Sequence, residues 1–258
     1  MVKAVPDILA RIVGQKKAEQ RRITSRLESE AEESVKYRRD FAAALTRTRP
    51  AIISEIKKAS PSRGVLTANF DPAATAKAYE DGGAAALSVL TDGPNFQGSL
   101  DDLKIARVAV TVPVLRKDFT IGEFDAIEAA AAGADAILLI AAILDEKQLR
   151  DYRELAARYG MAALVEVHNE EELAIAVASG ATIIGVNNRN LHTFDVSLDV
   201  ARRLAEHMPQ EAIRVAESGI HSAADVHKLT AAGYTAFLVG EHLMKSGDPS
   251  AALQALLA

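Results

Sequence analysis

Eight short runs of β-forming residues recur along this chain and constrain its fold more than any other feature. Helical patterns separate the runs, whose starts lie about 20 to 35 residues apart, the length of a strand and a crossover helix. The runs are residues 51–56, 84–90, 112–115, 136–140, 162–167, 182–186, 213–216 and 235–239. The sequence therefore predicts a series of parallel βαβ units.

The ends of the intervening helices are legible in the sequence. Asp71 followed by Pro72 offers an N-cap with proline at the first helical position, and Ser99 and Asn169 are further N-cap candidates. Glycine then precedes the next strand repeatedly, as a left-handed C-cap requires. These glycines are Gly82-Gly83, Gly133, Gly160, Gly180 and Gly233.

Eight strand-helix units fit either a (β/α)8 barrel or an open doubly wound sheet. A barrel builds its active site from the ends of many strands, whereas an open sheet concentrates its site at one switch point. Polar residues end the first, third, fifth, sixth and seventh runs of this chain. We therefore expect a (β/α)8 TIM barrel.

Residues 1–48 precede the first strand and carry two groups of apolar residues at helical spacing: Ile8, Leu9, Ile12 and Val13, then Ile23, Leu27, Ala31 and Val35. We expect two or so extra helices packed on the barrel, all within one domain of residues 1–258. Residues 1–50 contain 12 Lys and Arg against 7 Asp and Glu. This charge is typical of a solvated helix face, and a second interpretation is a helical cap that lends positive potential to a phosphate-bearing substrate.

Composition limits the class of protein. The 258 residues are 49% hydrophobic, which is enough to fill a sizeable core, and the net charge of −5 argues against a general nucleic-acid binder. No apolar run approaches the roughly 20 residues that a membrane-spanning helix needs, and no secretory signal is evident. We expect a cytoplasmic monomer that acts on a small molecule. The absence of cysteine removes thiolate nucleophiles and cysteine metal sites.

Charged residues close several of the predicted strands, although such groups are costly to bury unless they are paired. Alternation along a strand puts Glu55 and Lys57 on one face, and the same parity aligns Lys117, Glu166, Asn187 and Glu217 with the apolar residues two positions earlier. Two lysines and three glutamates would then converge at the barrel mouth. A structural cluster of salt bridges is the alternative to a catalytic one.

Turns of small residues follow three of the strands. Residues 60–64, Ser218-Gly219 and Val239-Gly240-Glu241 have backbone amides that can approach an anion. Barrels often bind phosphate with the loops after strands seven and eight and a short extra helix, which residues 241–244 could form. The histidines show no metal-ligand spacing, so we expect surface or capping roles for His207, His221 and His227.

Seven motifs in order resemble the signature of the indole-3-glycerol-phosphate synthase family, and the resemblance covers essentially the whole chain. They are IISEIKKASPS at 52–62, LSVLTD at 87–92, LRKDF at 115–119, GADAILLI at 133–140, LVEVH at 164–168, IGVNNRNL at 184–191 and AESGI at 216–220. The resemblance implies a cofactor-free lyase of tryptophan biosynthesis. That family closes the indole ring of 1-(2-carboxyphenylamino)-1-deoxyribulose 5-phosphate and releases carbon dioxide and water.

The resemblance also implies a role for each motif residue. Lys117 would be the general acid and Glu166 the general base, while Lys57 would anchor the substrate carboxylate or serve as a second acid. Glu55, Asn187 and Glu217 would orient these groups and the sugar hydroxyls. Substrate-binding residues would be Ser60, Phe96, Phe119, Arg189, Leu191, Ser218, Gly219, Gly240 and Glu241.

A lysine acting as an acid near neutral pH benefits from a neighbouring cation that lowers its pKa, and nearby carboxylates pull the other way. The chain departs from the common family pattern around Asn95, over residues 120–125 and at His242, where a Ser or Ala is usual. These departures concern rate and affinity more than the class of reaction.

Three other functions are compatible with a (β/α)8 barrel of this kind. Phosphoribosylanthranilate isomerases share the barrel and phosphate site, but they imply a Cys and Asp pair, and this chain has no Cys. A ligand-binding barrel without activity would have no need of the lysines and glutamates. Lys117 as a Schiff-base lysine would resemble the barrel aldolases, and borohydride trapping distinguishes that chemistry.

Overall fold

A closed barrel of eight parallel strands forms the centre of the computed structural model, which describes residues 7–19, 21–61, 64–67 and 69–258. The strands are β1 (Ala51–Ile56), β2 (Ala86–Leu90), β3 (Val114–Lys117), β4 (Ala136–Ile140), β5 (Ala162–Val167), β6 (Ile183–Asn187), β7 (Ile213–Glu217) and β8 (Ala236–Val239). Each strand pairs with its neighbours in sequence, and β8 pairs with β1 to close the ring. The prediction of a (β/α)8 barrel is confirmed, with every strand within two residues of its predicted bounds.

Helices surround the barrel and connect its strands. After the amino-terminal segment they are α4 (Pro72–Asp81), α5 (Gly93–Phe96), α6 (Leu100–Ala109), α7 (Glu123–Ala131), α8 (Glu146–Arg158), α9 (Glu170–Ala178), α10 (Asp199–Ala205), α11 (Ala223–Ala231), α12 (Glu241–Met244) and α13 (Pro249–Leu257). Among the described residues no helix is long and apolar enough to cross a membrane.

Local capping explains where these helices begin and end. The predicted N-caps Asp71, Ser99 and Asn169 each accept a hydrogen bond from the backbone amide three residues later. Gly133 follows α7 with φ at +88°, a conformation that a side chain would strain, so glycine is needed there. The other predicted C-terminal glycines share this left-handed backbone at Gly83, Gly160, Gly180 and Gly233.

Alternation along the strands divides the apolar residues into two cores. Ile53, Leu115, Leu164, Val215 and Leu238 point into the barrel and form one cluster. The residues of opposite parity pack outward against the helices, and they include Ile52, Leu87, Val165, Ala216 and Phe237. Two residues further along a strand, the next inward-facing position lies at the barrel mouth.

The segment before β1 forms three α-helices, α1 (Asp7–Ala18), α2 (Ser25–Ser34) and α3 (Phe41–Arg47), with a 3-10 turn at Val35–Tyr37. Phe41 and Leu45 of α3 are buried in the inward cluster with Ala51 and Ala236, so α3 closes the end where the strands start. α2 packs against α7. Leu9 and Ile12 of α1 join the same inward cluster. Both also line a cavity at the end of the barrel where the strands end.

Two expectations for this segment need correction. It contains three helices where about two were expected, and residues Ile23 and Val35, assigned to apolar helix faces, are 39% and 38% exposed. The helical periodicity breaks at the N-cap Thr24 and at the 3-10 turn, so these two residues fall outside the packed faces.

A small hairpin that the sequence analysis did not anticipate follows β1. Ala59–Ser60 pairs antiparallel with Gly64–Val65. Ser62 and Arg63, which belong to the predicted phosphate turn, lie outside the described residues. The hairpin carries Ser60 to the rim of the barrel mouth.

Candidate active site

A cluster of charged side chains occupies the mouth of the barrel where the strands end. Lys57 Nζ lies 2.6 Å from Glu55 Oε1, and Lys117 Nζ lies 3.4 Å from Glu166 Oε2. Glu217 is 2% exposed at the end of β7. The structure thus brings together the two lysines and three glutamates that strand parity predicted.

Lys117 stays protonated in this environment. Burial disfavours the ammonium, but the carboxylates of Glu166, Glu217 and Glu55 outweigh burial and raise the pKa of Lys117 above its usual value. Of the two opposing influences expected at Lys117, a neighbouring cation and nearby carboxylates, the carboxylates prevail, because Lys57 is paired with Glu55 and three carboxylates face Lys117.

The two carboxyl groups beside Lys117 titrate in opposite directions. Burial raises the pKa of Glu166, but the charge of Lys117 and the neighbouring His168 and Asn187 side chains outweigh it and hold the pKa below its usual range. Burial and the negative charge of Glu166 instead raise the pKa of Glu217 to about 8. The site therefore holds one ionised and one protonated carboxyl at neutral pH, an arrangement typical of acid-base chemistry.

Gly185 and Gly240 leave room for two of these carboxylates. A Cβ at Gly185 would collide with Glu217 Oε1, and one at Gly240 would collide with Glu55 Oε1. Glycine at these positions lets each glutamate lie against the neighbouring strand end. Glu217 Oε1 is buried and has no hydrogen-bond partner among the described residues.

A cavity of about 500 Å³ opens above the charged cluster, and all the sequence-predicted site residues line it. One side is apolar: Phe96, Phe119 and Leu191 lie near Ile8 and Ile12 of α1. The Phe96 and Phe119 rings are 6.2 Å apart between centroids. This wall suits a flat aromatic group.

Small-residue turns form another part of the cavity lining. Ser218 and Gly219 follow β7 in left-handed backbone, and a Cβ at Gly219 would press against Val196. Gly240 caps the short helix α12, which forms where it was predicted. Ser60 also lines the cavity. Backbone amides in such turns approach anions closely.

Charged groups on the loops complete the rim. Arg189 donates a backbone hydrogen bond to Asn187 Oδ1, and its guanidinium lies 3.9 Å from Glu241 Oε2. His221, expected to have a surface or capping role, is exposed but also lines the cavity. Its ring meets that of His242 edge-on at 5.8 Å between centroids. His207 and His227 are exposed, as expected.

Comparison with known proteins identifies the family. The sequence model described as indole-3-glycerol phosphate synthase matches residues 7–256. The chain belongs to the indole-3-glycerol phosphate synthase family. A synthase of this name from Albidiferax ferrireducens is 48% identical over 261 residues, covering 98% of each chain. One from Koribacter versatilis is 54% identical over 207 residues, covering 80% of each chain.

A solved structure is similar in fold alone. The N-acetylmannosamine-6-phosphate 2-epimerase from Clostridium perfringens aligns with a TM-score of 0.62 and 15% identity, covering 79% of this chain and 91% of that one. The barrel is therefore shared beyond the indole-3-glycerol phosphate synthase family, and the charged cluster must be judged on its own residues.

The residues at which the sequence analysis expects departures from the common pattern of the indole-3-glycerol phosphate synthase family have distinct positions. Asn95 on α5 bonds to its N-cap Asp92. Asp125 is buried and accepts backbone hydrogen bonds from Ile121 and Gly122 at the start of α7. His242 alone of these lines the cavity.

Sequence reasoning missed two parts of the site. His168 follows Glu166 with the same parity, and it contacts both Glu166 and Glu172. The signal was present in the two-residue spacing along β5. The second omission is a buried network in which Asp118 pairs with Arg116 at 3.0 Å and with Lys16 of α1 at 2.7 Å.

This network accounts for part of the amino-terminal positive charge. Lys16 is buried against Asp118, and Arg21 pairs with Asp125. Burial raises the pKa of Asp118, but Arg116 and Lys16 outweigh it and hold the pKa well below its usual range. These basic residues therefore fix α1 to the barrel mouth and do not form a solvated face.

Proposed function

We propose that this chain is an indole-3-glycerol phosphate synthase that closes the indole ring of 1-(2-carboxyphenylamino)-1-deoxyribulose 5-phosphate in tryptophan biosynthesis. One observation carries the proposal: Lys117 Nζ and Glu166 Oε2 lie 3.4 Å apart at the floor of the cavity, in a chain of this family. A protonated amine beside an ionised carboxylate supplies the acid and the base that the reaction needs.

In the first step Lys117 donates a proton to the ketone oxygen while the aromatic carbon attacks the ketone carbon. A new carbon-carbon bond closes the five-membered ring, and the oxygen becomes a hydroxyl. The three carboxylates around Lys117 keep it protonated until substrate arrives, which supports its role as the acid. A protonated amine is a poor nucleophile, so the same feature argues against a Schiff base at Lys117.

Decarboxylation follows ring closure. The bond from the ring to the carboxylate breaks, carbon dioxide leaves, and its electron pair restores part of the aromatic system. Lys57 anchors the carboxylate before this step or acts as a second acid. Its ion pair with Glu55, at 2.6 Å, holds the ammonium at the mouth without closing the cavity.

Dehydration completes the indole. The hydroxyl leaves as water with a proton from an acid of the site, and Glu166 accepts the ring proton that is lost with it. The low pKa of Glu166 keeps it ionised and ready to accept that proton. Glu55, Asn187 and Glu217 orient these groups and the sugar hydroxyls.

Substrate binding uses the two sides of the cavity. The phosphate binds the turns at Ser60, Ser218-Gly219 and Gly240, with Arg189 and Glu241 at the rim. The aromatic ring stacks on the wall of Phe96, Phe119 and Leu191. The carboxylate lies between these, within reach of the lysines.

The proposal also includes the domain organisation, oligomeric state and localisation of the chain. Residues 1–258 act as a single domain, with residues 1–48 as an extension packed on the barrel. The chain works as a cytoplasmic monomer, and its side chains alone perform the steps above.

Measuring indole fluorescence after adding purified protein to the carboxyphenylamino-deoxyribulose phosphate tests the proposal. Wild type should form product, and Lys117→Ala and Glu166→Gln should each lower kcat by about 10²- to 10⁴-fold, the usual contribution of a general acid or base. Circular dichroism confirms that each variant is folded.

Matched surface variants serve as controls. Lys104→Ala and Glu206→Gln change the same residue types at exposed positions away from the cavity, and both should retain wild-type kcat. A folded wild type that binds the substrate without converting it would refute the proposal and leave a ligand-binding barrel.

A further inference from the structure

The largely buried His168 and the buried Glu172 form a pair behind the cavity. His168 Nδ1 lies 2.9 Å from Glu172 Oε2, and the same oxygen accepts the backbone amide of His168 at 2.9 Å. The other oxygen of Glu172 accepts a hydrogen bond from Asn169 Nδ2 at 2.9 Å. Glu172 is 6% exposed, so three donors fix a buried carboxylate and, through it, the imidazole ring.

The free edge of the ring faces Glu166. His168 Nε2 lies 3.3 Å from Glu166 Oε1, at ion-pair distance. Nε2 is buried and has no aligned hydrogen bond among the described residues, so its main relation to Glu166 is charge. His168 is not part of the cavity lining, whereas Glu166 is.

Glu166 is therefore held from two directions. His168 reaches one oxygen from behind, and Lys117 reaches the other from the cavity at 3.4 Å. The second contact is with the group that gives up its proton in the proposed first step. Once Lys117 has lost that charge, His168 is the cation that remains beside Glu166.

Other titratable groups near Glu166 come from further strands: Lys117 of β3 and Glu217 of β7 interact with it, and Glu55 of β1 interacts with both of these. Burial disfavours the imidazolium, but the carboxylates of Glu166 and Glu172 outweigh it and raise the pKa of His168 to about 10. The ring is then positively charged across the neutral pH range, and both its nitrogens carry protons.

We infer that His168, oriented by Glu172, is a positioning residue that aims Glu166 and keeps it ionised while Lys117 is neutral. The inference rests on the proposed function, in which Glu166 is the base. A carboxylate that orients a histidine toward a working group is a recurrent arrangement, because it fixes both the ring and its protonation.

The test is the pH profile of kcat for His168→Gln, which keeps polar reach but loses the charge. Without the cation the pKa of Glu166 rises. As the pH falls, this base therefore becomes protonated at a higher pH than in wild type, and activity is lost there. The acid limb should move upward by about one pH unit or more, the effect of one nearby charge. KM should stay close to wild type, because His168 does not line the cavity.

Glu172→Gln and the double variant extend the test. Glu172→Gln leaves a neutral partner for His168 and should lower kcat less than His168→Gln does. In the His168→Gln background it should have no further effect, because Glu172 acts through the ring. His227→Gln, an exposed histidine on α11, should leave the profile unchanged.

A direct measurement avoids dependence on one variant. Nitrogen-15 NMR of histidine-labelled wild type should show one imidazolium that stays protonated at pH 8, assigned by its shift in Glu172→Gln. A ring that is neutral at pH 7 would overturn the inference, even if His168→Gln failed to fold.

The outcomes separate this inference from the proposed function. Wild type without product refutes the proposed function itself. An active wild type whose acid limb and kcat are unchanged in His168→Gln overturns the positioning role alone. A shifted limb with a preserved KM supports it, since a merely structural role would not move the titration of Glu166.

Discussion

The two ends of the barrel are built from the same strands in opposite ways. Where the strands start, small residues such as Ala51 and Ala236 face inward, and Phe41 and Leu45 of α3 fill the remaining space. Where the strands end, the inward positions carry lysines and glutamates. Parity along a strand determines only whether a residue faces inward. The position of the residue along the strand then determines whether it packs in the apolar core or lies at the charged mouth.

The difference also changes how each end stabilises the fold. The apolar end gains free energy from burial, which grows with the area removed from water. The charged end gains little, because burying ions costs roughly what their pairing returns. We therefore expect substitutions at the apolar end to affect stability alone, and substitutions at the mouth to affect stability and activity together.

The largest expected effect is at the closed end. Leu45→Ala removes a side chain that is fully buried under the barrel, and it should lower the free energy of unfolding by about 2–5 kcal/mol. Urea denaturation measures the loss. The kcat of the folded protein should stay at the wild-type value, because Leu45 lies at the end away from the cavity.

Val108→Ala, at an 88% exposed position on α6, is the control and should change stability by less than about 0.5 kcal/mol. A fall in kcat for folded Leu45→Ala would mean that the two ends are coupled, and the contrast between them would not hold.

A smaller effect on stability is expected at the mouth. Lys16→Met removes the partner that lies 2.7 Å from Asp118, whereas Arg116 remains, so the loss should be about 1.5–3 kcal/mol. Activity should fall as well, because α1 supplies Ile8 and Ile12 to the cavity wall. Denaturation and steady-state kinetics on the same sample report both.

Lys17→Met is the matched control, since Lys17 is the exposed neighbour on the same helix. It should change neither quantity. If Lys16→Met lost stability with an unchanged kcat and KM, α1 would be a structural element only.

The third effect concerns the pH dependence of stability. The pKa of Glu217 is about 8 in the folded chain and near the ordinary value when unfolded, so the folded state binds the extra proton between these limits. Stability from this group is present at low pH and is lost as the pH rises toward 8. Glu217→Gln should remove this loss, so its stability relative to wild type should rise by up to about 4 kcal/mol between pH 5 and pH 8.5, since one pKa unit corresponds to about 1.4 kcal/mol.

Thermal or urea unfolding across that pH range measures the gain, with exposed Glu211→Gln as the control. His168 has a raised pKa and contributes in the same direction, so the difference between variant and wild type is the informative quantity. A constant difference at all pH values would contradict a protonated Glu217.

Much of this architecture could be predicted because the rules involved are local. The pleat of a strand fixes which face Glu55 and Glu166 occupy, and capping chemistry marks Asp71 and Gly133. Strand parity also applies to His168, and its partner Glu172 lies only four residues away. This pair could therefore have been predicted from the sequence.

The position of α1 on the barrel could not be predicted from the sequence. Its apolar periodicity shows that one face is buried, but not which end of the barrel it covers. That choice depends on contacts such as Lys16 with Asp118 and Arg21 with Asp125, which join residues about a hundred positions apart. The direction of the pKa of Lys117 also depends on how many carboxylates the fold assembles around it.

The proton on Glu217 has a consequence for the approach of substrate. In the cluster at the mouth and behind it the charged side chains form pairs: Lys57 with Glu55, Lys117 with Glu166, and His168 with Glu172. Ionisation of Glu217 would leave an excess negative charge in a cavity meant for a molecule with both a phosphate and a carboxylate. A neutral Glu217 thus spares an incoming dianion or trianion long-range repulsion from its own binding site.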